Sequence, residues 1–130
     1  MQVPGFLLRR LYVKGSLRGA NGGFEFDLKN SLGSGYAEEV LPLTLDGEEL
    51  PAASTRFVID GEAVRFDEVS AEKPMTLAMN KTLTIGVDGP TLSPGKHKLG
   101  IGFVVKGMGK LQFDVTDAMG GDVAGDDDGE

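Results

Sequence analysis

The sequence contains a single histidine, His97, and histidine is the side chain best suited to proton transfer near neutral pH. His97 lies at the start of a stretch with the alternating pattern of a strand, at one of the alternate positions that apolar residues occupy. A histidine catalyst or metal ligand needs polar partners, and the chain offers no second histidine and no cysteine. We therefore interpret His97 as a residue that caps the rim of the core. The absence of cysteine also excludes disulfides, zinc–thiolate sites and thiol catalysis.

Two further motifs resemble chemical sites but lack a required part. Glu38 and Glu39 are neighbouring carboxylates of the kind that acid–base catalysis uses, yet adjacent strand residues point to opposite faces of a sheet. The segment Gly107-Met108-Gly109-Lys110 resembles a phosphate-binding loop, but no helix follows to offer its amide groups. We expect solvated charges at the first motif and a hairpin turn at the second. The sequence thus predicts no catalytic residue, no cofactor-binding residue and no metal ligand in this chain.

Acidic residues accumulate at the C-terminal end. The chain has 130 residues with 13 basic and 20 acidic side chains, and its net charge is −7. Asp122–Glu130 is rich in aspartate but lacks the alternating oxygen positions of a calcium loop. The Gly- and Asp-rich composition of Gly120–Glu130 leaves almost nothing to bury, which favours disorder. We predict one domain over residues 1–116 and an acidic, disordered tail over residues 117–130.

Charge and hydropathy also limit the partners and the compartment. A net negative chain is poorly suited to a nucleic-acid partner. No apolar run approaches the roughly 20 residues of a membrane span, which argues against a membrane partner. Arg9 and Arg10 interrupt the apolar run near Met1 that a signal peptide would need. Together with the absence of cysteine, these features predict a cytoplasmic location.

The elements that position these side chains are predicted to be strands, because apolar residues recur with a period of two. The alternating sets are Phe24/Phe26/Leu28, Leu83/Ile85/Val87, Leu99/Ile101/Phe103/Val105 and Leu111/Phe113/Val115. Pro42 interrupts a further set, Leu41/Leu43/Leu45, so that strand is expected to lie at an edge or to start late. Asp46-Gly47 and Asp60-Gly61 are strong hairpin signals. Helical signals are weak, with one short turn expected in Asp67–Lys73. The predicted fold class is an all-β, antiparallel, immunoglobulin-like β-sandwich.

The first predicted strand, residues 6–17, is unusual because both of its faces carry large apolar groups. A strand of a small sandwich normally has one wet face. Either the chain terminus folds over this strand, or a partner covers it. In the second case Phe6, Leu8 and Tyr12 form the docking face, with Arg10 at its rim. The loop Leu32–Tyr36, which its glycines are expected to make flexible, would make a second contact. The predicted partner interface comprises Phe6, Leu8, Arg10, Tyr12, Leu32, Gly33 and Tyr36.

The order of several motifs resembles a known family, the small, or β, subunit of the bacterial C-glycoside deglycosidases. The resemblance covers roughly residues 7–115. It rests on Gly23-Phe24-Glu25-Phe26-Asp27-Leu28, Leu43-Thr44-Leu45-Asp46-Gly47-Glu48-Glu49-Leu50-Pro51, Arg56-Phe57-Val58-Ile59-Asp60-Gly61, Phe66-Asp67-Glu68-Val69 and Leu92-Ser93-Pro94-Gly95-Lys96-His97.

This resemblance implies a function and a partner that the residues alone do not. It implies a non-catalytic β-sandwich that stabilises a larger (β/α)-barrel α subunit in a hetero-oligomer. That complex would cleave the carbon–carbon bond between a 3-oxo-sugar and an aromatic aglycone, so the chain would be an inactive subunit of a lyase. The divalent metal, manganese or magnesium, and the catalytic bases would belong to the barrel, where the metal would stabilise an enolate.

Two other classes of function remain open from the sequence. One is a free-standing carbohydrate-binding module, although the aromatic platforms that such modules use are limited here to two tyrosines and seven phenylalanines. The other is a structural or adhesive β-sandwich module, which normally comes with an export signal or neighbouring domains.

Overall fold

The chain folds as an antiparallel sandwich of two β-sheets, seen in a computed structural model that describes residues 3–20 and 22–119. This confirms the predicted all-β sandwich. A short helix α1 (Gly5–Leu8) is followed by a 3₁₀ turn (Arg9–Leu11), and further 3₁₀ turns are Ala52–Ser54 and Phe66–Glu68. The strands are β1 (Arg18–Ala20), β2 (Gly23–Lys29), β3 (Gly35–Val40), β4 (Thr44–Leu45), β5 (Glu48–Glu49), β6 (Thr55–Ile59), β7 (Glu62–Arg65), β8 (Met75–Leu77), β9 (Thr82–Asp88), β10 (Gly95–Val105) and β11 (Gly109–Met119).

The two sheets are built around β9 and β10. The first sheet has the strand order β1-β2-β9-β6-β7. In the second sheet, β10 pairs with β11 along its whole length, from Gly95↔Met119 to Val105↔Gly109. Strands β4 and β3 pair in succession with β10 as well, followed by their outer partners β5 and β8. Every pairing is antiparallel.

The core lies between the sheets and is formed by the residues that the period-two pattern singled out. Phe24 and Phe26 of β2 are fully buried, and they belong to the same apolar cluster as Leu99 and Ile101 of β10. The alternate residues of β2 and β10 are partly or fully exposed, except for the buried glycines Gly23 and Gly102. Burial of each large side chain stabilises the fold by roughly 1.5–3 kcal/mol, which makes this layer the main source of stability.

Two tight hairpins form at the predicted Asp-Gly pairs. Asp46 and Gly47 connect β4 to β5 with φ angles of 52° and 90°, and Asp60 and Gly61 connect β6 to β7 with 51° and 82°. Positive φ at both central residues is the type I′ geometry, whose twist matches that of the strands it connects. The third predicted turn joins β10 to β11 at Gly107–Gly109.

Strand boundaries differ from the predicted ones at two places. Only Thr44 and Leu45 of the predicted Leu41–Leu45 strand pair with β10, so the strand starts late, as Pro42 predicted. At the other end, β11 continues to Met119, three residues beyond the predicted domain end at residue 116. The predicted disordered stretch Gly120–Glu130 lies outside the described residues.

The prediction of a first strand over residues 6–17 is wrong. Residues 5–11 are helical, with Pro4 at the N-cap and its carbonyl accepting hydrogen bonds from the amides of Leu7 and Leu8 at 3.0 and 3.1 Å. Leu7, Leu8 and Leu11 have the i, i+1, i+4 spacing of one helical face, and this signal was present in the sequence. Apolar residues are dense enough here to fit both the two-residue period of a strand and the 3.6-residue period of a helix, so the pattern alone does not separate the two.

Candidate binding surface

The N-terminal segment, defined here as residues 3–12, lies over one end of the sandwich. Its helix packs against β11, where the Arg9 guanidinium donates to the Asp114 carbonyl oxygen at 2.9 Å and lies 3.8 Å from the Asp114 carboxylate. Leu8 is 2% exposed, whereas Phe6 is 67% exposed. Since residues two apart on a helix point about 200° apart, Phe6 and Leu8 do not share a face as the predicted strand required.

Beneath the N-terminal segment is a cavity of about 330 Å³, which we call the end cavity. Its walls come from both sheets and from the N-terminal segment, so neither sheet alone could form it. Nearly all of the lining is aliphatic or aromatic, with side chains that include Leu7, Leu8, Leu11, Leu28, Leu83, Phe103, Val105, Leu111 and Phe113. A space of this size and polarity falls within the range of small-molecule and side-chain binding sites.

Exposed apolar side chains lie at the edge of the end cavity. Leu32 is 39% exposed and Met108 is 38% exposed, and both line the cavity. Large exposed apolar residues that gather at one place are typical of interaction sites. Phe6 is also exposed, on the N-terminal segment, but it is not among the residues that line the cavity. We define the rim as the lining residues Leu32, Gly33 and Met108 together with exposed Phe6.

The loop that carries Leu32 and Gly33 is held by the side chain of Asn30. Its amide nitrogen donates to the carbonyl oxygens of Gly33 at 2.7 Å and Leu77 at 3.2 Å. Its amide oxygen accepts from the backbone amides of Leu32 and Gly33, both at 3.2 Å. The Ser34 hydroxyl accepts a further bond from the amide of Met79 at 3.2 Å. Five hydrogen bonds thus hold the loop that its glycines were predicted to make flexible.

The structure brings some predicted interface residues together and separates others. Leu8, Leu32 and Gly33 line the end cavity, although Leu8 is buried beneath the N-terminal segment. Phe6 and Arg10 are exposed on the N-terminal segment. Tyr36 is 53% exposed on β3, and Tyr12 is half-buried. Their role in binding a partner stays a prediction. The rim residue Met108 was missed, since it was interpreted only as part of a hairpin turn.

Tyr12 is a structural residue as well as a predicted interface residue. Its ring lies 5.7 Å from that of Phe26, centroid to centroid, and its hydroxyl donates to Asp117 Oδ2 at 2.5 Å. The same carboxylate oxygen accepts from the amides of Gly15 at 3.0 Å and Leu17 at 3.4 Å. Burial, followed by the hydrogen bond to Asp117, raises the pKa of the Tyr12 phenol well above its usual value. Asp117 was predicted to belong to the tail, but it lies on β11 and connects residues 12–17 to that strand.

His97 occupies the interior position at the start of β10 that its parity predicted. It is 9% exposed, its Nδ1 lies 2.7 Å from Asp46 Oδ2, and its Nε2 lies 2.7 Å from the Ser93 carbonyl oxygen. Both neighbours are acceptors, so the ring satisfies both when it carries two protons. The hydrogen bond to Asp46 and that to Ser93 raise the pKa of His97. The amide of Lys98 and the His97 ring lower the pKa of Asp46.

A polar cluster lies on the outer face of the first sheet. Arg18 Nε donates to Glu25 at 2.9 Å, and its terminal nitrogens donate to Asp27 at 3.1 and 3.2 Å. The Thr84 hydroxyl donates to the same Asp27 carboxylate at 2.8 Å. These contacts connect β1, β2 and β9 across the sheet. Because each charged group has a partner on a neighbouring strand, we interpret the cluster as cross-strand stabilisation.

Within residues 3–20 and 22–119, no group of three or more His, Asp or Glu side chains is placed to hold a metal ion. In the same part of the chain, no helix has the length and apolar character that spanning a bilayer requires.

The sequence matches a family model described as hydroxymethylglutaryl-CoA reductase, N-terminal domain, over residues 7–120. A search of curated proteins gave no significant match. The family match covers the whole stretch on which the resemblance to the C-glycoside deglycosidase β subunit rested, and it points to a different family. That resemblance is therefore wrong, and with it the predicted carbon–carbon lyase function. The barrel-shaped partner and its divalent metal were implied by that resemblance alone and stay predictions.

Proposed function

The chain belongs to the hydroxymethylglutaryl-CoA reductase N-terminal domain family, and we propose that it serves an enzyme of that kind as a docking domain. In this proposal the sandwich packs against the catalytic part of the reductase through the rim and the exposed side of the N-terminal segment. The family match supports the connection to an enzyme, and the surface supports the docking role.

The observation that carries the proposal is the exposure of Leu32 and Met108 at one apolar cavity, whose wall includes the N-terminal segment that carries Phe6. Phe6 leaves 67% of its surface in solvent. Apolar anchors that are surrounded by less critical contacts contribute most of the binding energy in protein interfaces. A partner that covers these exposed side chains would gain such anchors.

The titratable side chains of the sandwich favour a structural role over catalysis. Both ring nitrogens of His97 have hydrogen-bond partners within the chain. Asp117 accepts from Tyr12 and from backbone amides, and Asp27 pairs with Arg18 and Thr84. A general acid or base must instead reach a substrate proton. We therefore place the reduction of hydroxymethylglutaryl-CoA in the catalytic part of the enzyme.

Positive charge beside the apolar rim suits association with a larger partner. Arg10 is exposed on the 3₁₀ turn that follows α1. Charges at the edge of an interface act mainly on the association rate and on its salt dependence. Arg10 is therefore assigned to the edge of the proposed docking surface, and Tyr36 on β3 extends that surface as the sequence predicted.

The proposal is tested by co-purification with the reductase catalytic domain of the source organism. The double substitution Phe6→Ser with Leu32→Ser removes two exposed anchors without touching a buried position. A matched control, Lys96→Ser with Glu48→Ser, changes two exposed residues that do not line the end cavity, one at the start of β10 and one on β5. The wild-type chain and the control should co-elute with the catalytic domain, whereas the rim variant should be folded and elute alone.

Two results would contradict the docking role. One is failure of the wild-type chain to bind the catalytic domain, and the other is equal binding by the rim variant. Reduction of hydroxymethylglutaryl-CoA by the purified chain alone would show that the assignment of catalysis to the partner is wrong.

A further inference from the structure

We propose that the end cavity binds a linear hydrocarbon chain, such as the acyl tail of a medium-chain carboxylic acid, with the polar end of the ligand at the rim. This inference goes beyond the docking role, because it requires this chain alone and no catalytic partner.

The apolar side chains that line the end cavity have no protein atoms packed against them on the cavity side. Protein interiors are normally packed as densely as organic crystals, with few spaces larger than a water molecule. Here about 330 Å³ lies between Leu8 and Leu11 of the N-terminal segment and Phe103 and Phe113 of the second sheet. The space opens to solvent at Leu32, Gly33 and Met108, and an apolar guest that fills it removes the apolar wall from water, which is favourable.

The main polar side chain of the wall is already fully used. The Asn30 amide group makes four hydrogen bonds to the loop and to Leu77, which matches its capacity for two donated and two accepted bonds. A peptide strand in the cavity would leave its own amides and carbonyls without partners, which is costly. A hydrocarbon chain has no such groups, so the lining favours it over a peptide strand.

The polar end of the ligand lies at the rim. Ser34 directly follows the rim residues Leu32 and Gly33, and all three line the cavity and are exposed to solvent. A carboxylate there keeps its hydration while its tail is buried. An amphipathic ligand therefore fits with one orientation, tail inward.

A second cavity provides an internal comparison. It has nearly the same volume, about 340 Å³, and shares the wall residues Leu77 and Leu83 with the end cavity. Its lining, however, includes the charged side chains Asp60, Glu62, Glu68, Lys73 and Lys81. Since a hydrocarbon would have to displace water from these charges, the tail should enter the end cavity and not this one.

The experiment uses the full 130-residue chain and decanoate below its micelle concentration, followed by NMR of ¹³C-methyl methionine. Met108 lines the end cavity and Met75 lines the second one, so each reports on one site. We expect a saturable shift of the Met108 methyl signal and none at Met75. Absence of a saturable Met108 shift, or a shift confined to Met75, would overturn the proposal.

A cavity-filling pair gives an independent measurement. Leu111→Trp places a large ring in the end cavity and should weaken decanoate binding at least tenfold by calorimetry. Val64→Trp fills the second cavity in the same way and should leave the affinity unchanged. Equal affinity of wild type and a folded Leu111→Trp variant would overturn the assignment. These results need no partner, so failure here leaves the docking role untouched, and failure of docking leaves ligand binding untouched.

Discussion

His97 and Asp46 are joined by a contact of 2.7 Å between Nδ1 and Oδ2, which connects the start of β10 to the turn of the β4–β5 hairpin. The amide of Lys98 donates to the other oxygen of the same carboxylate at 2.8 Å. Asp46 has a φ of 52°, so a residue with an unusual backbone conformation also holds a buried ring. The pair therefore fixes the position of the hairpin relative to the second sheet.

The charge on His97 should make the stability of the domain depend on pH. Because the pKa of His97 is raised by folding, its contribution is complete below the unfolded pKa of about 6.5 and is lost as pH rises through the folded pKa. The pKa of Asp46 is lowered, so its contribution is lost as pH falls through that value. Urea unfolding between about pH 6 and about pH 9 should show falling stability, and His97→Gln should remove most of that slope.

A matched pair of turn variants separates the ion pair from the turn. Asp46→Asn should reduce the pH slope, because asparagine tolerates positive φ but carries no charge. Asp60→Asn changes the equivalent residue of the β6–β7 turn, whose carboxylate pairs with exposed Lys81 instead. The slope should be unaffected in that control. An unchanged slope in Asp46→Asn would refute the role given to the pair.

Removal of the Tyr12 hydroxyl should destabilise the fold without disturbing its packing. Tyr12→Phe keeps the ring against Phe26 and loses the hydrogen bond to Asp117, whose cost is about 1.5–3 kcal/mol for a bond to a charged group. Tyr36→Phe is the control, because that side chain is 53% exposed and should change stability by less than about 0.5 kcal/mol. Equal stability of the two variants in denaturant titrations would contradict this account.

Two C-terminal truncations should locate the end of the folded domain. A chain that ends at Thr116 lacks Asp117 and the last three pairs of the β10–β11 ladder, from His97↔Asp117 to Gly95↔Met119. Its melting temperature should fall by more than about 5 °C. A chain that ends at Met119 keeps these contacts and should melt within about 2 °C of the full chain. Equal melting temperatures of the two truncated chains would support the predicted boundary at residue 116.

Two glycines should respond in opposite ways to an added methyl group. A Cβ at Gly23 would lie 1.8 Å from the Val87 carbonyl oxygen, on backbone that cannot move independently of the β2–β9 ladder. Gly23→Ala should therefore cost about 1–3 kcal/mol or more. A Cβ at Gly33 meets no atom within 4 Å, so Gly33→Ala should be neutral within about 0.5 kcal/mol. Thermal unfolding of both variants in parallel checks the contrast.

The candidate site was only partly predictable. Exposed Leu32 and Gly33 were assigned to an interface from their place in a glycine-containing loop, and they do line the end cavity. The cavity itself left no signal in the sequence, because its walls come from both sheets and from the N-terminal segment. Met108 was hidden inside a recognisable turn, where its side chain had no predicted role.

The sequence by itself determined the strands, their buried faces and the Asp-Gly hairpins, since these depend on residues that are close together in the chain. The alternation of Phe24, Phe26 and Leu28 is one such local pattern. The tertiary structure alone decided that Leu7, Leu8 and Leu11 form a helical cover in place of a strand. Their apolar spacing fits either period. The choice depends on the gap between the two sheets, which distant residues such as Leu28 and Phe113 create and which a short helix covers.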